Sequence, residues 1–146
     1  GVIFAPALDR MFHGFKGGGS VEKSPGREGP IQVRQLPESD SRAVASRSHR
    51  NEETNRWLEA HQIRDTVSIG SSLKFCLVAC GEADVYPRFG PTMEWDTAAG
   101  DAILRAAGGL TTHPDGSVFR YGKAGYRNSS FIASGQPDRW EPKASV

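Results

Sequence analysis

The sequence predicts a layered α/β fold for this chain of 146 residues. From Ile31 onward, short apolar runs of strand length alternate with longer segments of helical periodicity, an order typical of layered α/β proteins. Turn-forming residues separate most of these segments. A hydrophobic content of 37% and a mean hydropathy of −0.49 indicate a globular composition. The length fits one domain or a part of a larger one.

Charge and hydrophobicity exclude several classes of protein. Eighteen basic and seventeen acidic residues nearly cancel, which argues against a general nucleic-acid coat, so no nucleic-acid partner is expected. No apolar run approaches the ~20 residues that a membrane helix needs. The first residues lack the basic start and long apolar stretch of a signal peptide. Cys76 and Cys80 lie four apart, a poor spacing for a disulfide on one helix, so we expect two free thiols and a cytoplasmic location.

The N-terminal segment predicts a β-hairpin at a sheet edge. "GVIFAP" reads as a buried strand ended by Pro6, and "RMFHGF" reads as a second short strand. The following stretch, "KGGGSVEKSPGREGP", is dense in Gly, Pro and charge and is predicted to be turn-rich. A strand at residue 1 needs neighbours to pair with, which indicates missing sheet partners.

The middle of the chain predicts two strand–helix pairs. "AVASRSH" is a short strand, and "NEETNRWLEAH" is a helix that Asn51 can cap. "DTVSIGSS" is a strand that runs into a Gly-Ser-Ser turn. "LKFCLVACGEA" is a helix that ends at Gly81.

The last third predicts a strand, a helix, a hairpin and a final strand. "DVYPRFG" is the strand, and "WDTAAGDAILRAAGG" is a helix ended by two glycines. "LTTHPDGSVFRYG" reads as a hairpin around Asp115 and Gly116, and "SSFIASG" as the last strand. The polar tail "QPDRWEPKASV" is expected to fray.

Candidate binding residues follow the predicted strand ends, where ligands bind in α/β sheets. In "SIGSSLK", Ser71 stands at a helix start, whose first N–H groups can bind an anion, and Lys74 adds a positive charge. The alternative is that Ser71 only caps the helix and Lys74 is solvated. Arg88 carries a planar set of donors suited to phosphate or carboxylate, or else forms an ordinary salt bridge.

Two further candidates are Asp96 and His49. Asp96 precedes a run of small residues at a helix start, so it is either an N-cap or a ligand of a hard cation such as Mg²⁺. His49, in "SRSHR", is either a ligand-binding imidazole or a plain surface residue.

These motifs together resemble a known family. "WDTAAG" is similar to a signature of the inositol monophosphatase superfamily, and "GSSLKFCLVA", "YPRFGPT" and "SRSH" resemble its 3'(2'),5'-bisphosphate nucleotidases of the CysQ type. The resemblance runs from Gly1 to about Gly109. It implies a layered sugar-phosphatase-like fold and Mg²⁺-dependent removal of the 3'-phosphate from adenosine 3',5'-bisphosphate, a by-product of sulfur assimilation.

The resemblance also implies a role for each candidate residue. Asp96 matches a metal ligand that also contacts substrate. Ser71, Lys74 and Arg88 match residues that hold the nucleotide, at the phosphate that is not cleaved, and His49 matches a histidine near the adenosine. On this view residues 1–30 belong to an N-terminal antiparallel sheet, and residues 31–146 form the C-terminal α/β half that binds nucleotide and metal.

The family's remaining metal ligands are not found in this sequence. They come from a glutamate pair and an Asp-Pro-(Ile or Leu)-Asp-Gly-Thr motif upstream of the segment that matches "GVIFAP". The turn "HPDGS" lies at the wrong end to replace them. We therefore expect the chain to be the C-terminal portion of such an enzyme, with no complete catalytic set and little activity alone, because one carboxylate binds Mg²⁺ weakly.

Partners and alternatives follow from the same resemblance. The expected partner is a small nucleotide bisphosphate. Self-association through the exposed first strand is expected as well, and the family resemblance leaves peripheral membrane association open. Two other functions also stay open: a half-domain that binds a phosphorylated nucleotide without hydrolysing it, and a phosphatase of the superfamily that acts on inositol or sugar phosphates.

Overall fold

The computed structural model describes residues 1–35, 40–45 and 51–140. Within these ranges it contains three α-helices: α1 (Glu52–Ala60), α2 (Leu73–Ala79) and α3 (Glu94–Ala106). The strands of the same ranges are β1 (Val2–Ala5), β2 (Arg10–Phe15), β3 (Gly19–Ser24), β4 (Arg27–Ile31), β5 (Arg42–Ala45), β6 (Asp65–Ser68), β7 (Val85–Arg88), β8 (Thr92–Met93), β9 (Leu110–Thr112), β10 (Arg127–Asn128) and β11 (Phe131–Ser134). None of the helices in the described part is long and apolar enough to cross a membrane.

The N-terminal sheet is an antiparallel meander of four strands in the order β1-β2-β3-β4. The predicted hairpin of β1 and β2 is confirmed. The prediction of a turn-rich stretch after it is wrong, because that stretch forms β3 and β4 around a tight turn at Gly26 (φ 72°). β1 is an edge strand, and its outer side chains Val2 and Phe4 are more than half exposed, so the predicted buried strand is also corrected.

A second sheet of five strands has the order β6-β5-β7-β11-β9. The β6, β5 and β7 strands run parallel, and β11 and β9 add antiparallel pairings. Alternate residues of the central strands face opposite sides: Val44 and Tyr86 pack with one apolar cluster, whereas Ala43 and Val85 pack with another. Both faces of this sheet are therefore covered, as its apolar strands require.

The α2 and α3 helices lie between the two sheets. α3 packs against β1, β2 and β3 on one side, and α2 packs against β5, β7 and β11 on the other. Ser20 of β3 donates a buried hydrogen bond of 2.7 Å to the carbonyl of Ile103 in α3. Gly100 lets the two helices approach closely, since a Cβ there would lie 2.6 Å from the Phe75 ring. The result is the layered α/β architecture that the sequence predicts.

Helix ends follow the predicted signals. Asn51 Oδ1 accepts a hydrogen bond of 2.9 Å from the Thr54 backbone N–H and so caps α1. Gly81 follows α2 with φ 75°, in the left-handed region that glycine tolerates. Cys76 and Cys80 are both free thiols, and burial raises their pKa values to about 12 and about 11. Both thiols are therefore protonated and unreactive near neutral pH.

The C-terminal region differs from its prediction in two places. The segment around Asp115 makes a single bridge from Thr112 to Val118 and not a full hairpin. The tail does not fray at Pro137–Trp140: this 3-10 helix buries Trp140, whose indole N–H donates to Ser134 Oγ at 2.7 Å. Residues 141–146 lie outside the described ranges.

Candidate active site

A polar cleft of about 380 Å³ lies beyond the carboxyl ends of β6 and β7, at the start of α3. This is the position at which α/β sheets bind ligands. Four candidates predicted from sequence meet there: Ser71, Lys74, Arg88 and Asp96. The other lining residues are Ser72, Phe75, Tyr86, Pro91, Thr92, Trp95 and Thr97.

Lys74 is a buried cation, only 5% exposed. Its ammonium donates to the Ser71 carbonyl at 3.1 Å and lies 5.5 Å from the centre of the Tyr86 ring. Burial, with a smaller contribution from the nearby Arg88, lowers the pKa of Lys74. No carboxylate of the described residues pairs with this ammonium, so an anion in the cleft would meet a charge that is only partly compensated.

Ser71 forms the turn between β6 and α2. Its φ of 53° is unusual for a residue with a side chain and marks local strain. The helix itself begins at Leu73, and Ser72 at its N-cap makes no side-chain capping bond. Ser71 is thus not a helix cap: its carbonyl holds Lys74, and it lines the cleft beside this ammonium.

Arg88 ends β7, at the other side of the cleft. One terminal nitrogen, Nη2, donates to the Pro91 carbonyl at 3.5 Å, a long and weak hydrogen bond. Its Nε is buried and has no partner within the described ranges. The salt bridge that the sequence left open does not form with any described residue. Arg88 therefore keeps unused donors for a ligand.

Asp96 lies in the first turn of α3 and is exposed to solvent. Its Oδ2 accepts a hydrogen bond of 2.9 Å from the Met93 N–H, the residue before the helix. Asp96 is thus inside the helix and holds its start from there, rather than standing before it as an N-cap. Its second oxygen, Oδ1, has no partner in the described part of the chain and could coordinate a cation.

The fit of the cleft to Mg²⁺ is partial. Mg²⁺ prefers a full set of oxygen ligands, and Asp96 is the one carboxylate among the described lining residues. A second acidic group, formed by Glu22, Cys80 and Glu82, lies elsewhere. It holds the guanidinium of Arg10, 2.7 Å from Glu22 and 2.5 Å from Glu82, and so is satisfied by a cation of the chain itself.

His49 lies outside the described residues, and the structure gives no account of it. Sequence reasoning did not identify Tyr86 or Trp95 as lining residues. Burial raises the pKa of the Tyr86 phenol to about 12, so it stays neutral under the lysine. The strand alternation of β7 contained a signal for Tyr86, because Tyr86 and Arg88 are two residues apart and so leave the same face.

Comparison with known proteins places this geometry in one family. The model of the inositol monophosphatase family matches residues 1–144. The chain is similar to the 3'(2'),5'-bisphosphate nucleotidase CysQ of Salmonella typhimurium, with 46% identity over 83% of this chain and 48% of the relative. It is also similar to an uncharacterised protein of Rhizobium leguminosarum bv. phaseoli, with 58% identity over 54% of this chain and 90% of that protein.

The fold has the same relatives. The crystal structure of CysQ from Bacteroides thetaiotaomicron superposes with a TM-score of 0.80 and 35% identity, over 92% of this chain and 57% of that one. The chain thus spans about half the length of the bisphosphate nucleotidases that it matches. With the signature around Asp96 at the start of α3, the predicted resemblance is confirmed, and the chain belongs to the inositol monophosphatase family.

Proposed function

We propose that this chain carries the nucleotide-binding part of a 3'(2'),5'-bisphosphate nucleotidase, which hydrolyses the 3'-phosphate of adenosine 3',5'-bisphosphate to give AMP and phosphate. One observation carries the proposal: Lys74 and Arg88, two cations without a carboxylate partner in the described ranges, line the same cleft as Asp96. Similarity to CysQ proteins supports the choice of substrate.

The cations would bind the phosphate that stays on the nucleotide. Lys74 supplies a point charge, and Arg88 supplies N–H donors that can grip two phosphate oxygens. Ser71 holds the ammonium of Lys74 and offers its own hydroxyl at the cleft wall. His49 is assigned to the adenosine by resemblance alone.

Asp96 would be one ligand of the catalytic Mg²⁺. When bound, the metal would polarise the phosphate that is cleaved. The backbone N–H of Met93 fixes one carboxylate oxygen of Asp96, and the residue lines the cleft. Since Asp96 is the one carboxylate that the described residues bring to this cleft, we expect the 146-residue chain to turn over substrate slowly or not at all by itself.

Two alternatives make different predictions. A module that binds nucleotide without hydrolysis uses the same cations but needs no metal. An inositol or sugar monophosphatase is favoured by the similarity to the inositol monophosphatase of Anabaena, which superposes with a TM-score of 0.72 at 28% identity. The greater identity to CysQ proteins favours the nucleotide.

The test combines turnover and binding. Phosphate release by the purified chain would be measured with adenosine 3',5'-bisphosphate and with inositol 1-phosphate, in Mg²⁺ and in chelator. Calorimetry with AMP would report binding alone. We expect AMP to bind and phosphate release to be slow. Rapid Mg²⁺-dependent phosphate release would refute the prediction that the metal site is incomplete. A preference for inositol 1-phosphate would refute the nucleotide as substrate. Absence of AMP binding would refute the assignment of the cleft as the nucleotide site.

Self-association and location are secondary proposals. The exposed edge of β1, with Val2 and Phe4, offers unpaired backbone groups beside apolar side chains, so we propose that the chain self-associates there. Light scattering that shows a monomer at high concentration would argue against this. We also propose a cytoplasmic location with peripheral membrane contact, which cell fractionation would test.

A further inference from the structure

Two exposed aromatic side chains, Trp95 and Tyr126, contact each other, and Trp95 also lines the cleft. Trp95 is 67% exposed and Tyr126 is 56% exposed. Their ring centres are 6.3 Å apart, and the ring planes are inclined by 51°. Stacked rings lie about 3.5 Å apart, so a third ring between these two would need about 7 Å, and it does not fit. Tyr126 therefore supports Trp95 rather than forming the other half of a clamp.

Glu94 connects the two segments that carry this aromatic pair. Its carboxylate accepts hydrogen bonds from the backbone N–H groups of Gly122, at 2.9 Å, and Lys123, at 3.0 Å, and it pairs with the Lys123 ammonium at 2.7 Å. The hydrogen bond and charge of Lys123, with the two backbone donors, lower the pKa of Glu94 to about 2. Glu94 precedes Trp95 directly, so the loop that carries Tyr126 is anchored to the helix turn that carries Trp95.

The backbone at Tyr126 is strained. Its φ is 54° and that of the preceding Gly125 is 71°, both in the left-handed region. A bulky side chain is rare in this region, so Tyr126 is held there against a steric cost. Immediately after it, β10 pairs with β8, with Arg127 opposite Met93. The strained turn is thus fixed on both sides, and it places an exposed ring against another exposed ring.

Trp95 is continuous with the cationic cleft, whereas Tyr126 is not among its lining residues. Tyr126 therefore contacts Trp95 from outside and leaves the cleft-facing surface of the indole available. Lys74 and Arg88 line the same cleft and suit a phosphate. A ligand that spans the cleft would combine a phosphate with a flat, apolar ring system, and bases of nucleotides stack on such side chains.

We propose that Trp95, supported by Tyr126, is the surface on which the base of a phosphorylated nucleoside stacks while its phosphate binds Lys74 and Arg88. This assignment rests on the proposed function and adds a specificity-determining residue to it. Phosphorylated sugars and inositols carry no such ring, so Trp95 would separate nucleotides from them.

The experiment compares AMP with ribose 5-phosphate, which lacks the base, by calorimetry on the full chain. Wild type is expected to bind AMP at least about fivefold more tightly, the lower end of the scale of one base–aromatic stack. Trp95→Leu should lose this preference while keeping its affinity for ribose 5-phosphate. Trp95→Phe should retain part of the preference. Because Trp95 is exposed, we expect these variants to fold, and thermal unfolding would verify it.

Two further variants complete the design. Phe15→Leu removes another exposed aromatic, on β2 and outside the cleft, and should leave both affinities unchanged. Tyr126→Asn introduces a residue that tolerates positive φ, and it should weaken the binding of AMP but not that of ribose 5-phosphate. If Trp95→Leu still prefers AMP, Trp95 is not the stacking surface, and the assignment of Lys74 and Arg88 to the phosphate is unaffected. If wild type binds ribose 5-phosphate as tightly as AMP, the base subsite is likewise refuted. Binding of neither ligand would overturn both proposals.

Discussion

Replacing Lys74 by methionine should separate ligand binding from stability. Methionine keeps the length of the buried aliphatic stem and removes the ammonium. In the folded protein Lys74 is 5% exposed, its ammonium donates a hydrogen bond to the neutral carbonyl of Ser71, and Arg88 repels it. A purely structural lysine and a ligand-binding lysine therefore predict opposite results.

The expected loss is in binding. A hydrogen bond from a charged donor contributes about 1.5–3 kcal/mol, so Lys74→Met should weaken AMP binding roughly 10- to 150-fold. The expected effect on stability is neutral or favourable, because a desolvated charge with no carboxylate partner in the described ranges is removed.

The pH dependence follows from the lowered pKa of Lys74. Below that pKa the lysine is charged in both states, and the folded state bears the cost of holding the charge. The unfolded state binds more protons between the lowered pKa and the ordinary value of 10.5, so wild-type stability rises with pH through this window. Lys74→Met lacks this rise, and its advantage should shrink as pH approaches 10.5.

The assay is calorimetry with AMP, paired with urea unfolding from neutral to alkaline pH. The control is Lys23→Met, whose side chain on β3 is 64% exposed and lies outside the cleft. It should change neither quantity. A Lys74→Met protein that binds AMP normally but unfolds more readily would show that Lys74 is structural, and the reasoning would be wrong.

The remaining predictions concern three other positions. Asp84→Asn should lower the free energy of unfolding by about 2 kcal/mol in urea titration, because the buried carboxylate accepts two 2.6 Å hydrogen bonds from Arg34; unchanged stability would contradict this. Gly100→Ala should cost about 1–3 kcal/mol, since the new methyl group meets the Phe75 ring; a rise in melting temperature would disprove that clash. Asp96→Asn should keep the hydrogen bond to the start of α3, so the free energy of unfolding should change by no more than about 0.5 kcal/mol. The same variant should weaken the effect of Mg²⁺ on nucleotide binding, and a Mg²⁺ dependence equal to that of wild type would contradict the assignment.

The sequence predicted most of the central fold because its elements carry strong local signals. Asn51 and Gly81 mark helix ends by side-chain and backbone chemistry that acts within one turn. β3 and β4 were missed because glycines, prolines and charges suit an exposed meander as well as a loop, and only pairing to β2 decides between them. β8 and β10 have two residues each, too few for any periodic pattern.

Spacing in the sequence suggested the site residues one by one, and only the family resemblance joined them into one predicted site. Lys74, Arg88 and Asp96 each had an ordinary alternative, and sequence spacing could not decide among them. The structure brings them to one cleft because the ends of β6 and β7 and the start of α3 meet at the same sheet edge. Trp95 contacts Tyr126, which lies 31 positions further along the chain, and no local pattern reveals such a contact.

The placement of α3 between two sheets has a consequence for local motion. Ile103 and Leu104 are fully buried, and the hydrogen bond from Ser20 ties this part of the helix to the N-terminal sheet. Their amide protons should exchange with solvent only when the whole chain unfolds, whereas those at the edge strand β1 should exchange through local fraying. Asp96 and Trp95 sit on the first turn of the same helix, which is anchored through its buried C-terminal half. We therefore expect motions that admit a ligand to come from the loops around the cleft rather than from α3.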